Sequence, residues 1–385
     1  MRESCRLLSG VADEFAATRP FAGLTIGTGI HLEPKTVALI LTLASGGARI
    51  ISTGNLSSTQ ADTVSYLRHR GVQVVGEATT DGAQHAGYLR EVLGEKPDLL
   101  LDNGGDLFLG YLGNPYPGLL GGTEETTSGR IRLKPLASAL DVPVLVINDS
   151  PIKQFAENRH AVGQSVLESY LRITNRMTNG RRVLVFGYGA CGRGIAATFR
   201  SAYATVSVVE TDPVARLEAC LDGFAVPERE DGLRQADVVI TATGAAAVVT
   251  GADLGLLKDD AVLCNAGHFP TEIEVGELTG APDVAVVEMG GEGITTIRLE
   301  DGRRIHLLTD GHMVNLAGPR PLGNSIESMD LGFALQARCL EAVANGSVTG
   351  GNQVVAVPRF IDEMVARAFL DAYGASGTPR PEEAG

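Results

Sequence analysis

Arg182-Val183-Leu184-Val185-Phe186-Gly187-Tyr188-Gly189-Ala190-Cys191-Gly192 decides the fold. The unbroken apolar run Val183–Phe186 reads as a parallel strand buried on both faces. A lone GxGxxG carries little information. Here it follows a strand, opens a helix expected from about Arg193 to Ser201, and precedes a second strand, Thr205–Val209, that ends in Glu210. Each glycine then has a mechanical role: Gly187 permits the tight turn, Gly189 lets the backbone approach a pyrophosphate, and Gly192 lets the helix sit close on the sheet. The helix N-terminus offers unpaired N–H groups and partial positive charge to that phosphate. Glu210 would accept hydrogen bonds from both ribose hydroxyls of the adenosine half and repel the extra phosphate of NADP. The expected cofactor is therefore NAD. Strands at Asp237–Thr241 and Ala261–Cys264 continue the unit, and Val166–Asn179 is expected to be the helix that joins it to the preceding one.

The same alternation extends upstream. Thr36–Leu43 reads as a buried helix, Ala48–Thr53 as a strand and Asp62–Arg70 as a helix. Val72–Val75, Leu99–Asp102 and Val142–Asn148 read as further strands, giving an α/β sheet. The expected architecture is α/β and two-domain: a substrate-binding unit over 1–160, completed by a stretch returning at 325–365, and a Rossmann-type NAD unit over 161–324, around a cleft. Residues 366–385 are expected to form a disordered tail, because the Gly/Pro-rich end from Gly374 cannot pack.

Composition bounds the function. With 44% hydrophobic and 20% charged residues among 385, the chain can bury a large core. A formal charge of −14 argues against nucleic-acid and anionic-membrane partners, while leaving room for a small anion in a local site. No run reaches the ~18 apolar residues of a membrane span, and no secretory h-region follows Met1, so a soluble, cytoplasmic protein is expected. Cysteines 5, 191, 220, 264 and 339 are scattered without a CxxC spacing, which suits neither a disulfide framework nor a metal site.

Several stretches fit one family. Leu101-Asp102-Asn103-Gly104-Gly105-Asp106-Leu107 resembles its DDGGDL segment, and Glu124-Glu125-Thr126-Thr127-Ser128-Gly129 its EETTTG. Asn148-Asp149-Ser150 with Lys153 and Asn158 resembles NDSVTKxxxDN, and Cys264-Asn265-Ala266-Gly267-His268-Phe269 resembles CNIGHFD. Gly302-Arg303-Arg304-Ile305 with Val314-Asn315-Leu316 resembles GRRIxLLxxGxxVNL. The family is S-adenosyl-L-homocysteine hydrolase, and the resemblance spans about 20–340, in order. It implies a redox-neutral cleavage: NAD+ oxidises the nucleoside 3′-hydroxyl, the ketone acidifies C4′, the 5′-thiolate leaves, water adds, and the hydride returns.

By that resemblance Lys153 contacts the 3′-oxygen and Glu125 pairs with it. Glu157 stands where the family has an aspartate, while Asn148 and Asn158 match its orienting asparagines. His31 falls on the histidine near C5′, and His268 and Phe269 on the gate over the substrate. Thr126, Thr127, Ser128, Thr243 and Asn315 match positions that hold the nicotinamide half. A homodimer or homotetramer is implied, although the family's C-terminal Lys/Tyr arm has no counterpart after Arg367. Taken alone, Lys153 would be a solvated surface charge, His31 a capping or core histidine, and Asp102 and Asp106 turn residues.

The departures cluster around substrate. Asn103 occupies the position of the aspartate placed to act on the C4′ proton, and an amide cannot be that base. Lys35 replaces a glutamate or glutamine that reads the adenine amino group, with Glu33 replacing a threonine beside it. A donor-only ammonium cannot accept from an amine, so a base with a carbonyl suits Lys35 better. Asn324 is the nearest candidate for a missing gating histidine. Three readings stay open: a thioether hydrolase or synthase on an altered nucleoside; a nucleoside 3′-oxidoreductase, epimerase or lyase; and an NAD-holding protein without turnover.

Overall fold

The computed structural model describes residues 4–290, 293–350 and 354–374. The chain divides into two compact units, Met1–Gln154 with Ile326–Gly385, and Phe155–Ser325. The division falls six residues before the expected 160/161 boundary. The cause is local packing: a Cβ on Gly194 would meet the Arg159 carbonyl oxygen at 1.7 Å, so residue 159 is seated against the helix Ala190–Ser201.

In chain order the first unit supplies strands β1 (Thr25–Ile30), β2 (Arg49–Gly54), β3 (Gln73–Val74), β4 (Leu99–Asp102), β5 (Gly121–Glu124) and β6 (Val144–Val146). The second supplies β7 (Arg182–Phe186), β8 (Thr205–Val209), β9 (Val238–Thr241), β10 (Ala261–Asn265), β11 (Val284–Gly290), β12 (Ile294–Leu299) and β13 (Arg304–Leu308). The chain then returns to the first sheet with β14 (Val354–Ala356). The first sheet has the order β14-β6-β5-β4-β1-β2-β3 and is parallel throughout. The second has the order β11-β12-β13-β10-β9-β7-β8; its last five strands are parallel, and β12 and β11 add antiparallel at one edge.

The apolar run of β7 has a direct explanation. Val183 and Val185 enter one core cluster with Tyr170, Ile195 and Phe199, while Leu184 and Phe186 enter the cluster on the opposite face with Val239 and Leu263. Side chains alternate across a strand, so helices on both faces demand apolar residues at every position. The first unit's core gathers Ile51, Leu100, Leu107, Phe108, Leu133 and Val144 around β4.

Two expectations are corrected. The joining helix runs Val162–Thr174, not to Asn179, and is preceded by a π-helical segment, Lys153–Ala161; Asn175 then takes a left-handed φ of 50° that ends it. The tail does not begin at 366, because Arg359–Tyr373 is a helix. Ile361 and Val365, spaced i, i+4, are buried, Phe369 stacks on Tyr373, and the Tyr373 hydroxyl donates to Asp330 at 2.8 Å. The remainder of the expected tail, 375–385, lies outside the described residues. Among the described residues no helix is long and apolar enough to cross a membrane.

Candidate active site

Parallel strands present their carboxyl ends to one edge, where ligands of open α/β sheets bind. In the first unit His31 follows β1, Asn55 follows β2, Asn103 follows β4 and Glu125 follows β5, and these four strands are neighbours. Lys153 begins the π-helical segment, a form that is rare and concentrates at functional sites.

These side chains form a buried network. Lys153 Nζ donates to Glu125 Oε1 at 2.7 Å, and Asn103 Nδ2 donates to Glu125 Oε2 at 2.7 Å. Asn55 Nδ2 donates to the Asn103 carbonyl at 3.0 Å and to its Oδ1 at 3.2 Å, fixing which end of that amide faces Glu125. Burial pushes the Glu125 carboxyl up, but the Lys153 charge and hydrogen bond, with His31 and the Asn103 amide, outweigh it and hold the carboxyl below its ordinary value. His31 Nδ1 lies 2.5 Å from Ser58 Oγ. Asn55 and Ser58 were missed in the sequence; the signal that could have found them is Asn55 and the polar run Ser57–Gln60 directly after a buried strand.

Next in the same strands comes a second carboxylate pair, of which the sequence reads Asp102 as a turn residue and gives Glu124 no role. Asp102 and Glu124 are register partners at the tips of β4 and β5. Asp102 accepts from the Asn103 and Phe108 N–H groups at 2.9 and 3.0 Å. Glu124 accepts from Gly104 N, Gly105 N, Thr126 N and Thr126 Oγ1, which ties the Asn103–Asp106 turn to the Thr126 turn. Burial raises both carboxyls, Asp102 to about 7. Thr126 also caps the helix Thr127–Leu133, accepting from Gly129 N at 2.9 Å and bonding Ser128 Oγ at 2.9 Å, while Thr127 is exposed. Asn148 is buried, and its carbonyl takes the Gln154 amide. Lys35 Nζ donates to Glu33 Oε2 at 2.7 Å in a buried ion pair.

The second unit carries the dinucleotide fingerprint. Gly187 has a φ of 92°, and a Cβ on Gly192 would stand 2.0 Å from the Gly187 carbonyl oxygen. A Cβ on Gly189 would meet no atom within 4 Å, so the space above the helix N-terminus is open for a pyrophosphate. Glu210 accepts from Tyr188 N at 2.6 Å, Thr211 N at 2.6 Å and Asp212 N at 2.9 Å, which holds its carboxylate against the fingerprint turn. Buried Glu272, another residue missed in sequence, accepts from Thr243 N, Thr243 Oγ1 and Gly244 N at 2.9, 2.8 and 2.8 Å.

Asn265 Nδ2 donates to the Phe269 and Gly311 carbonyls at 2.9 Å each, and His268 packs edge-on against Phe269 at 4.7 Å. Asn315 Nδ2 donates to Ser165 Oγ at 3.0 Å, Ser165 donates to Asn324 Oδ1 at 2.9 Å, and Asn324 Nδ2 donates to Glu157 Oε1 at 3.3 Å. The structure thus brings Glu157, Asn324 and Asn315 together through Ser165, with Asn158 buried on the same π-helical segment as Glu157. Asn315 Oδ1 is a buried acceptor with no hydrogen-bond donor among the described residues, which fits a donor group of a bound molecule. The open Gly189 face, Glu210 and this orphaned acceptor fit NAD.

Comparison with known proteins agrees. Residues 3–114 match the family described as S-adenosyl-L-homocysteine hydrolase, and residues 158–320 its NAD binding domain. An adenosylhomocysteinase of Thermotoga maritima is 40% identical over 96% of this chain and 92% of its own length. An S-inosyl-L-homocysteine hydrolase of Methanothermobacter thermautotrophicus is 38% identical over 97% and 90%. An adenosylhomocysteinase of Thermococcus kodakarensis is 38% identical over 96% and 88%. With two family models matched and relatives 38–40% identical over 96–97% of its length, this chain belongs to the S-adenosyl-L-homocysteine hydrolase family.

Proposed function

We propose that the chain cleaves, or in reverse forms, a 5′-thioether nucleoside by a redox-neutral route through a 3′-ketone, and that the base presents a carbonyl and an adjacent ring N–H, as hypoxanthine does. The buried Glu33–Lys35 pair carries the base assignment. Adenine offers an amine donor beside a ring acceptor, whereas hypoxanthine offers a carbonyl acceptor beside an N–H donor. An ammonium that only donates and a carboxylate that only accepts match the second edge and oppose the first. The S-inosyl relative supports the same assignment.

Bound NAD supplies hydride acceptance from, and return to, ribose C3′. Lys153 places its ammonium at O3′ and stabilises the alkoxide that forms as the hydroxyl loses its proton. Glu125, kept ionised by Lys153, is the adjacent proton acceptor. Asn103 orients the Glu125 carboxylate by donating to its second oxygen and takes no proton itself. His31, whose Nδ1 is held by Ser58, takes the C4′ proton and passes it to the leaving thiolate, then takes a proton from the incoming water and returns it to C4′.

Asn103 also favours a second reading, in which the sugar is oxidised but the thiol is not expelled. One experiment separates the two. The purified protein is incubated with S-inosyl- and S-adenosyl-homocysteine, and thiol release and nucleoside products are followed by mass spectrometry. Thiol release at least about tenfold faster from the inosyl compound is expected. Equal or faster cleavage of the adenosyl compound overturns the base assignment, and an altered sugar without thiol selects the second reading.

A further inference from the structure

Lys153 is buried at the start of a helical segment, and what fixes that start lies more than 200 residues away in sequence. Ser150, fully buried, accepts the backbone N–H of Ile152 at 3.1 Å and of Lys153 at 3.5 Å on its Oγ, while its carbonyl accepts Gln154 N at 3.0 Å. The same hydroxyl donates to Asp362 Oδ1 at 2.5 Å. A serine hydroxyl has one proton and two lone pairs. With the proton held by Asp362, both lone pairs are turned toward the helix start, where first-turn N–H groups lack intrahelical partners.

Asp362 is itself seated. It lies on the helix Arg359–Tyr373 between buried Ile361 and Val365, and the segment just before that helix, β14, pairs with β6, the strand that leads to Ser150. The C-terminal segment therefore grips the β6-to-Lys153 junction twice, once through the strand ladder and once through a side chain.

We propose that Asp362 is a positioning residue for the Lys153–Glu125 pair, acting through the Ser150 hydroxyl. Its kinetic arm rests on the assignment of Lys153 to O3′ above; its structural arm does not. The full-length NAD-loaded protein is studied as wild type, D362A, D362N and S150A. Lys153 is labelled with an amine-reactive acylating reagent and quantified by peptide mass spectrometry. Exposed Lys96 and Lys134 serve as references, and buried, ion-paired Lys35 reports general loosening. Nucleoside-driven cofactor reduction is followed in parallel.

In D362A, Lys153 labelling rises about fivefold or more while Lys35 labelling holds, and the reduction rate falls about tenfold with KM within twofold. D362N retains an oxygen that accepts from Ser150 and returns both readings to within about threefold of wild type. S150A behaves as D362A, and the double variant D362A/S150A is no worse than S150A alone. Wild-type labelling and rate in D362A overturn the proposal, as does a parallel rise at Lys35. If wild type reduces no cofactor with any nucleoside while Lys153 labelling still responds to D362A, the positioning role stands and the assigned reaction falls.

Discussion

The Lys35 ammonium donates a 2.7 Å hydrogen bond to Glu33 Oε2, with side-chain exposures of only 7% and 5%. Two residues apart on one loop, these groups hold opposite charge where water is largely excluded. Removing one partner strands the other, so K35Q alone is expected to cost about 3–5 kcal/mol. The paired change E33T/K35Q removes both charges and is expected to recover most of that stability in urea unfolding. It also restores a neutral edge, so the preference between inosyl and adenosyl thioethers should move toward adenosyl by about 10²-fold or more. A preference that does not move would separate this pair from base recognition.

Gly189 and Gly192 are distinguishable by what their missing Cβ atoms would meet. A Cβ at 192 stands 2.0 Å from the Gly187 carbonyl oxygen, whereas one at 189 meets nothing within 4 Å. Residue 189 has an extended backbone, φ −68° and ψ −173°, open to any residue. G189A is therefore expected to melt within about 2 °C of wild type without cofactor, since a surface change without contacts costs under about 0.5 kcal/mol. Its NAD affinity should nevertheless fall by about 10²-fold or more, because the methyl enters the space the pyrophosphate needs. G192A should lose both stability and affinity. Calorimetry with and without NAD distinguishes these outcomes.

What the sequence discloses tracks how local the cause is. The strand Arg182–Phe186 was legible because two buried faces leave no position for a polar residue, and the fingerprint because its glycines, helix and Glu210 lie within 30 residues. The Lys153–Glu125 pair joins residues 28 apart, and only motif register suggested it. Ser150 and Asp362 are 212 apart, with no pattern linking them. The second half of the helix Arg359–Tyr373 falls in the expected tail, because the Gly/Pro-rich end that argues for disorder begins only at Gly374, while Ile361, Val365, Phe369 and Tyr373 recur every four residues. The edge strand β11 exposes Val286, Val287 and Met289, so it lacks the alternation that marks a half-buried strand.

Asp102 gives a pH dependence with a definite sign. Burial raises its carboxyl from 3.8 to about 7. A carboxyl raised in the folded state favours the protonated form, so its stabilising contribution is complete below about pH 4 and is lost as pH rises through about 7. Its neighbour Glu124 is raised too and extends the loss to higher pH. D102N removes the titration but sets an NH2 group against one of the two backbone N–H donors, costing about 1–3 kcal/mol. The gap between wild type and D102N begins to close above about pH 4, so it should be wider at pH 5 than at pH 8. Urea unfolding at both values checks it, and a gap that widens with pH would contradict the raised carboxyl.

Glu125 has the opposite sign because Lys153 outweighs burial. A lowered carboxyl contributes stability above its unfolded value near 4.5, and this is lost as pH falls through the folded value. K153A takes the cation away and leaves burial in charge, so the Glu125 carboxyl rises and its contribution to stability reverses. Around neutral pH K153A should cost about 3–5 kcal/mol, and its deficit should narrow as the medium is acidified and Glu125 is protonated. The double change E125Q/K153M replaces the ion pair by neutral groups of similar size and should regain most of that stability. Neither variant should regain turnover, since a positioned acid–base pair contributes about 10²–10⁴ in rate. Reduced-nicotinamide absorbance under nucleoside would stay at least about 10²-fold slower in both. A double variant that is stable and still reduces its cofactor at the wild-type rate would remove Lys153 and Glu125 from the chemistry.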